Sequence, residues 1–167
     1  MLFHLGPNPT VDLIVTRAVG GEQQILLIER SANSSAMPGR LAFPGGFVDT
    51  EASRGEVWRS GAETFIQAVR RELLEETGLD LSHKPDEVFR FLGIYDDPGR
   101  DPRNTNDSWV EGHVYTVVID PEEGHDVIGM DDAEHAHWFP VSELRLLSKD
   151  RFAFDHYEIL KEHGLLP

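Results

Sequence analysis

The feature that most constrains this chain is one strongly amphipathic helical stretch set among strand-like runs. Between positions 62 and 77, Ile66, Val69 and Leu73 recur at three- and four-residue spacing with Ala62 and Phe65 beside them. No proline intervenes, and Gly78 stands where a left-handed C-terminal cap belongs. Elsewhere the hydrophobic period changes. Residues 11–17 alternate, Gly20-Gly21 marks a turn, and 24–30 carry the apolar run Ile25-Leu26-Leu27-Ile28, which together predict a β-hairpin. Further strands are expected over 88–95 and 109–119 and a short one at Trp138-Phe139. Helices are expected over 141–147 and 152–163, the last with Phe152, Tyr157, Ile159 and Leu160 as its apolar positions.

Between these elements lie segments of distinct character. Leu41-Ala42-Phe43 leads into Pro44-Gly45-Gly46, read as a breaker, and Phe47-Val48 resumes a strand. Residues 50–61 are polar and glycine-spaced, with Trp58 their only large aromatic, and read as a surface loop; 96–108 form a long loop bearing Arg100 and Arg103. Residues 121–136 hold six acids and neither Lys nor Arg. The 167 residues make one domain, 1–167, and 30 Asp plus Glu against 15 Lys plus Arg give a net charge of −15. Such a charge opposes binding to nucleic acid or an anionic membrane, while leaving room for a small phosphorylated ligand that arrives with a bridging cation. There is no cysteine, so disulfides, thiolate nucleophiles and Cys-ligated zinc are excluded. No leader-like N-terminus and no apolar run of membrane-spanning length is present, so a cytoplasmic protein is expected.

The chemistry concentrates on the helix. Glu72, Glu75 and Glu76 lie at i, i+3 and i+4 and project from one face within a turn. A solvated face balanced by Arg70 and Arg71 is the plain reading of such a cluster. Three converging oxygen donors also suit Mg²⁺, which binds through few carboxylates and accepts phosphate oxygens.

Taken with what precedes them, these residues resemble the Nudix box. Gly45-Gly46, Glu63 and the run Arg71-Glu72-Leu73-Leu74-Glu75-Glu76-Thr77-Gly78-Leu79 match that pattern without a gap from 63 to 79. The departure is upstream, where about 11 residues separate Glu63 from its usual distance to the glycine pair, an apparent insertion around 50–61. Glu51 stands at the usual distance from Gly45 and is the rival for the box glutamate; Glu63 is preferred because helix geometry sets its separation from Arg71, whereas a loop can grow. Pro98-Gly99-Arg100-Asp101-Pro102-Arg103, with Asn104-Thr105, Trp109 and Glu111, is similar to a loop of the ADP-ribose pyrophosphatase subgroup. Phe154-Asp155-His156 resembles a short segment of the same subgroup.

The resemblance implies an α/β/α sandwich, a mixed β-sheet between helices with the box helix on one face and the C-terminal helix on the other. It implies Mg²⁺, or Mn²⁺, at Glu72, Glu75 and Glu76 beside Gly46, and a salt bridge from Arg71 to Glu63. The general base would be a box glutamate or a later acid, with Glu134 ranked ahead of Asp132 and Glu111. For substrate, Arg100 and Arg103 present guanidinium forks suited to phosphate, and Phe43, Phe47 or Trp109 offers a face to a base. His135 and His137 alternate as solvent-facing strand residues do, and are not read as a zinc site. The implied reaction is cleavage of ADP-ribose to AMP and ribose 5-phosphate. Hydrolysis of another nucleotide derivative is the alternative; an ADP-ribose-sensing module ranks below both, because the box acids are intact and no DNA-binding segment is recognised. Homodimers are frequent in the family.

Overall fold

A computed structural model of the chain describes residues 2–124, 126–131 and 133–167. Its spine is β1 (Gly6–Val19), which runs antiparallel to β2 (Glu22–Arg30) in the expected hairpin, with Thr16 opposite Ile25. The remaining strands are β3 (Leu41–Ala42), β4 (Gly45–Phe47), β5 (Arg90–Tyr95), β6 (Ser108–Val118) and β7 (Ala133–Pro140). They form one mixed sheet in the order β3-β2-β1-β6-β5, with β4 paired to β1 and β7 to β2; β1 and β6 are parallel over their whole shared length.

Strand alternation sends successive side chains of β1 and β2 to opposite sides. Val11, Leu13, Val15, Leu26 and Ile28 pack with Ala68, Val69 and Leu73 of α1 (Phe65–Thr77). Ile14, Ile25 and Leu27 pack on the other side with Val141 and Leu144 of α2 (Val141–Leu144) and Ile159 and Leu160 of α3 (His156–Glu162). This is the α/β/α sandwich with the box helix and the C-terminal helix on opposite faces. Each fully buried aliphatic contributes about 1.5–3 kcal/mol, so both layers are anchored by many such residues and not by any single contact.

Local chemistry explains where boundaries differ from expectation. The box helix begins at Phe65, not at 62, because Thr64 caps it: Thr64 Oγ1 accepts from Gln67 N at 3.2 Å, and Thr64 N donates to Gln67 Oε1 at 2.7 Å. Gly78 closes it at φ 72, as its position predicts. The last helix is confined to 156–162, since Phe152 bridges β3 at Leu41, Ala153 N donates to Leu41 O at 2.8 Å, and the chain then turns through Phe154 at φ 52. Gly45 and Gly46 do not break the chain; both are strand residues, and a Cβ on Gly45 would collide with Val11 O. The acidic stretch is shorter than expected because β7 already begins at Ala133. His135 and His137 are exposed on β7.

The 50–61 excursion folds over the N-terminal segment. Leu5 N donates to Glu56 O at 3.0 Å, Gly55 N to Phe3 O at 2.7 Å, and Trp58 Nε1 to Val48 O at 3.3 Å. The extra residues therefore leave and rejoin the fold without disturbing α1. No helix among the described residues is long and apolar enough to cross a membrane.

Candidate active site

β4 and α1 meet edge to face, and their meeting places the carboxylates. Gly45 N donates to Glu76 Oε2 at 2.9 Å, and the Glu72 carboxylate occupies the space that a side chain on Gly46 would fill. Burial pushes the Glu76 carboxyl up to about 8, with Glu72 and Asp12 adding to the effect against the Gly45 N–H. Glu72 is pushed up to about 7, again first by burial, with Glu75 and Glu63 acting in the same sense against Arg71. Glu75 remains half-exposed.

Arg71 organises the cluster. It donates to Glu63 through Nη2 (2.6 Å) and Nε (3.2 Å), to Glu72 and Glu75 through Nη1 (2.7 and 3.3 Å), and to Phe47 O through Nη2 at 3.0 Å. Glu63 also accepts from Asp49 N at 2.7 Å. Glu51, the rival, lies instead with its carboxylate against Gly61.

The donor set fits a hard divalent cation. All its members are carboxylates, and two, the buried Glu76 and the half-buried Glu72, have their charged forms disfavoured, which is the electrostatic condition a positive ion relieves. Among the described residues, no three His, Cys, Asp or Glu side chains close into a ready-made cage. Arg71 draws Glu72 and Glu75 toward itself, and an open set matches a cation that retains waters and takes phosphate oxygens.

Glu72, Glu75, Glu76, Gly46 and Arg71 line one side of a cavity of about 640 Å³, and Phe43, Phe47, Arg100 and Arg103 line the rest with others. The roles within that group differ from a simple list of ligands. Phe43 is fully buried, its ring stacked on His156 at 4.2 Å, so it forms wall and offers no free face. Phe47 is partly exposed, with Phe3 edge-on at 5.0 Å and the Arg103 guanidinium 5.3 Å from its centre. Arg103 is held by Asp101 through bonds of 2.9 and 2.7 Å. Arg100 is buried beneath the cavity, donating to Tyr95 O at 2.8 Å and Asp155 Oδ1 at 3.0 Å; a Cβ on Gly112 would collide with it.

Several residues singled out in the sequence do not line this cavity. Glu63 sits behind Arg71, Trp109 lines a separate hollow with Asp97 and Asn104, and Glu134 is exposed on β7. Glu111 is engaged by His113 at 2.9 Å. Asp132 lies outside the described residues, whereas its neighbour Asp131 lines the cavity. Sequence reasoning overlooked Asp12 and assigned no role to His156. Asp12 hides in an apolar strand, and its polarity at an otherwise hydrophobic position was the available signal.

The model of the NUDIX domain matches residues 6–163, almost the entire chain. The chain belongs to the NUDIX family. An ADP-ribose pyrophosphatase of Methanocaldococcus jannaschii is 34% identical over 162 residues, covering 96% of this chain and 75% of that protein. An ADPR responsive transcriptional repressor NtrR of Acinetobacter baylyi is 30% identical over 158 residues, of which this chain spans 53% of the length. Among solved structures, the NUDIX domain of Shewanella oneidensis NrtR complexed with ADP ribose shares the fold with a TM-score of 0.71 at 22% identity, covering 95% of this chain and 86% of that one. With its box intact and a pyrophosphatase relative of this similarity, the Nudix chain is a pyrophosphohydrolase.

Proposed function

We propose that this Nudix protein hydrolyses ADP-ribose to AMP and ribose 5-phosphate with Mg²⁺ or Mn²⁺ bound. The observation that carries the reading is the set of box carboxylates, organised by Arg71 and by the Gly45 N–H, opening on a cavity large enough for a dinucleotide-sized ligand. The pyrophosphatase relative supports the substrate, and a Francisella tularensis bifunctional enzyme solved with AMP and a Mn ion, 27% identical with a TM-score of 0.68, supports the cation.

Glu72, Glu75 and Glu76 would hold the cation. When bound, it would neutralise diphosphate charge and acidify a coordinated water. Gly45 orients Glu76, and Arg71 keeps Glu72 and Glu75 on the cavity side of the helix. Glu75 takes the proton of the attacking water in this reading, since it is the box acid left half-exposed, and Glu134 stands outside the cavity. Arg103 and Phe47 frame the opposite wall and would receive the nucleoside end.

The test is AMP release from ADP-ribose, with nucleotide sugars as comparison. Glu75→Gln and Glu76→Gln should each lower kcat by on the order of 10²–10⁴ while leaving a folded protein, the range for loss of a proton-transfer group or its partners. Full turnover in both variants would sink the assignment. The repressor relative favours a second reading, an ADP-ribose-binding module; tight binding of ADP-ribose by the wild type with Mg²⁺ and no AMP produced would establish it instead.

A further inference from the structure

Asp12 is bonded tightly to nothing. Its Oδ2 stands 3.4 Å from Arg100 Nη2 and its Oδ1 3.5 Å from His156 Nε2. Other carboxylates of the same region are gripped at 2.6–2.9 Å, as Glu63 is by Arg71 and Asp101 by Arg103. Arg100 does not need Asp12, for the same Nη2 has Asp155 at 3.0 Å. His156 accepts from Phe43 N through Nδ1 at 3.0 Å, so its ring proton is on Nε2, facing Asp12, and that nitrogen is buried without a hydrogen-bond partner.

A carboxylate taken out of water ordinarily gathers short bonds, because an unsatisfied charged acceptor is costly. Asp12 instead has only a long 3.4 Å hydrogen bond from Arg100 and a 3.5 Å contact with His156, and its remaining exposed face, 12% of the side chain, is on the wall of the catalytic cavity. The flanking Arg100 supplies positive charge without occupying that face. A carboxylate face of this kind is suited to a hydrogen-bond donor. In β1, Asp12 is the strand partner of Gly45, whose N–H holds Glu76. Opposed antiparallel residues lie about 4.5–5.5 Å apart at Cα, so Asp12 is within one sugar ring of a phosphate bound at the carboxylates.

We propose that Asp12 is a specificity residue that accepts hydrogen bonds from the hydroxyls of a ribose adjoining the diphosphate. The proposal rests on the function argued above, and names the part of the substrate that this wall recognises. A ribose cis-diol presents two donors side by side, matching two carboxylate oxygens, whereas phosphate presents none and would be repelled.

ADP-ribose carries such a diol at either end, and three ligands separate the sources. Calorimetric binding of ADP-ribose, ADP and 2′,3′-dideoxy-ADP, with Ca²⁺ present, is compared between wild type and Asp12→Asn. The variant should bind ADP-ribose at least about tenfold more weakly, as expected for hydrogen bonds to a charged acceptor. Unchanged ADP affinity then assigns the terminal ribose; an equal loss for ADP, with dideoxy-ADP unaffected, assigns the adenosine ribose. Unchanged ADP-ribose affinity overturns the proposal. So does an equal loss for dideoxy-ADP, because Asp12 would then act through the fold. Should Asp12→Asn fail to fold, wild type is compared against ADP-ribose analogues lacking the diol at one end or the other, and undiminished binding of both overturns it equally. Wild type that binds ADP-ribose in this manner without hydrolysing it refutes the enzyme reading alone.

Discussion

Arg71 and Glu63 grip each other through two hydrogen bonds of 2.6 and 3.2 Å, although a 50–61 excursion intervenes between Glu63 and the glycine pair with which it belongs. The same Arg71 reaches Glu72 and Glu75, so Glu63 fixes the guanidinium that orients the box acids. Glu63→Gln should therefore lower kcat at least about tenfold and cost about 1–3 kcal/mol, the range for loss of a charged hydrogen-bond partner. Glu51→Gln, an exposed change, should stay within about 0.5 kcal/mol of wild type in urea melts and retain turnover. An inactive Glu51 variant beside an active Glu63 variant would reverse the assignment.

Removal of divalent cations should silence turnover and soften the fold. A ligand at a hundred times its Kd stabilises by about 2.7 kcal/mol, and a domain of this size gains about 2–4 °C per kcal/mol. Adding Mg²⁺ to chelated protein should then raise Tm by roughly 5–10 °C. In Glu72→Gln the shift should shrink to a fraction of that, which a thermal-shift series reads directly.

Gly112 lies against the end of Arg100, where a methyl group would overlap the guanidinium. Gly112→Ala must displace a buried charge that is bonded to Tyr95 O and Asp155. A loss of about 1–3 kcal/mol is expected from such overpacking. A fully stable variant would mean that Arg100 can move without cost.

Glu123 clamps the end of the 121–124 turn to the segment after α1, with Lys84 Nζ at 2.9 Å and His83 Nε2 at 3.1 Å. The Lys84 bond, ahead of the Asp120 N–H and His83, holds its carboxyl down at about 2. A folded-state value below the unfolded one of 4.5 means that the stabilisation is present above about pH 4.5 and is lost as pH falls toward 2. Lys84→Met should flatten that part of the acid-unfolding curve by lowering stability at pH 7 while leaving it unchanged near pH 2, a small loss because the pair is near the surface.

Much of the sandwich was legible because its signals are local. The hairpin turn at Gly20-Gly21, the stripe of α1 and its glycine cap all follow from residues within a few positions of one another. The box acids were legible for the same reason, being separated by one helical turn. What escaped depended on contacts distant in sequence. Residues 152–155 read as helix until Ala153 is seen bonded to Leu41, and Trp109 reads as a stacking platform until β6 carries it to another hollow. Asp12 could be seen as polar, yet nothing within the chain's local text announces that Arg100, 88 positions on, will reach it with only a long hydrogen bond.

The long β1 strand faces both layers, with 11, 13 and 15 toward α1 and 14 toward α2 and α3. Since side chains alternate with a period of two, a single-residue slip would exchange the two sets and turn Asp12 away from the cavity into the packing beneath α1. The fold thus tolerates length changes very unequally. A dozen residues can accumulate at 50–61 without disturbing the site, while loss of one residue between 10 and 16 would scramble hydrophobic support and sugar recognition in a single event.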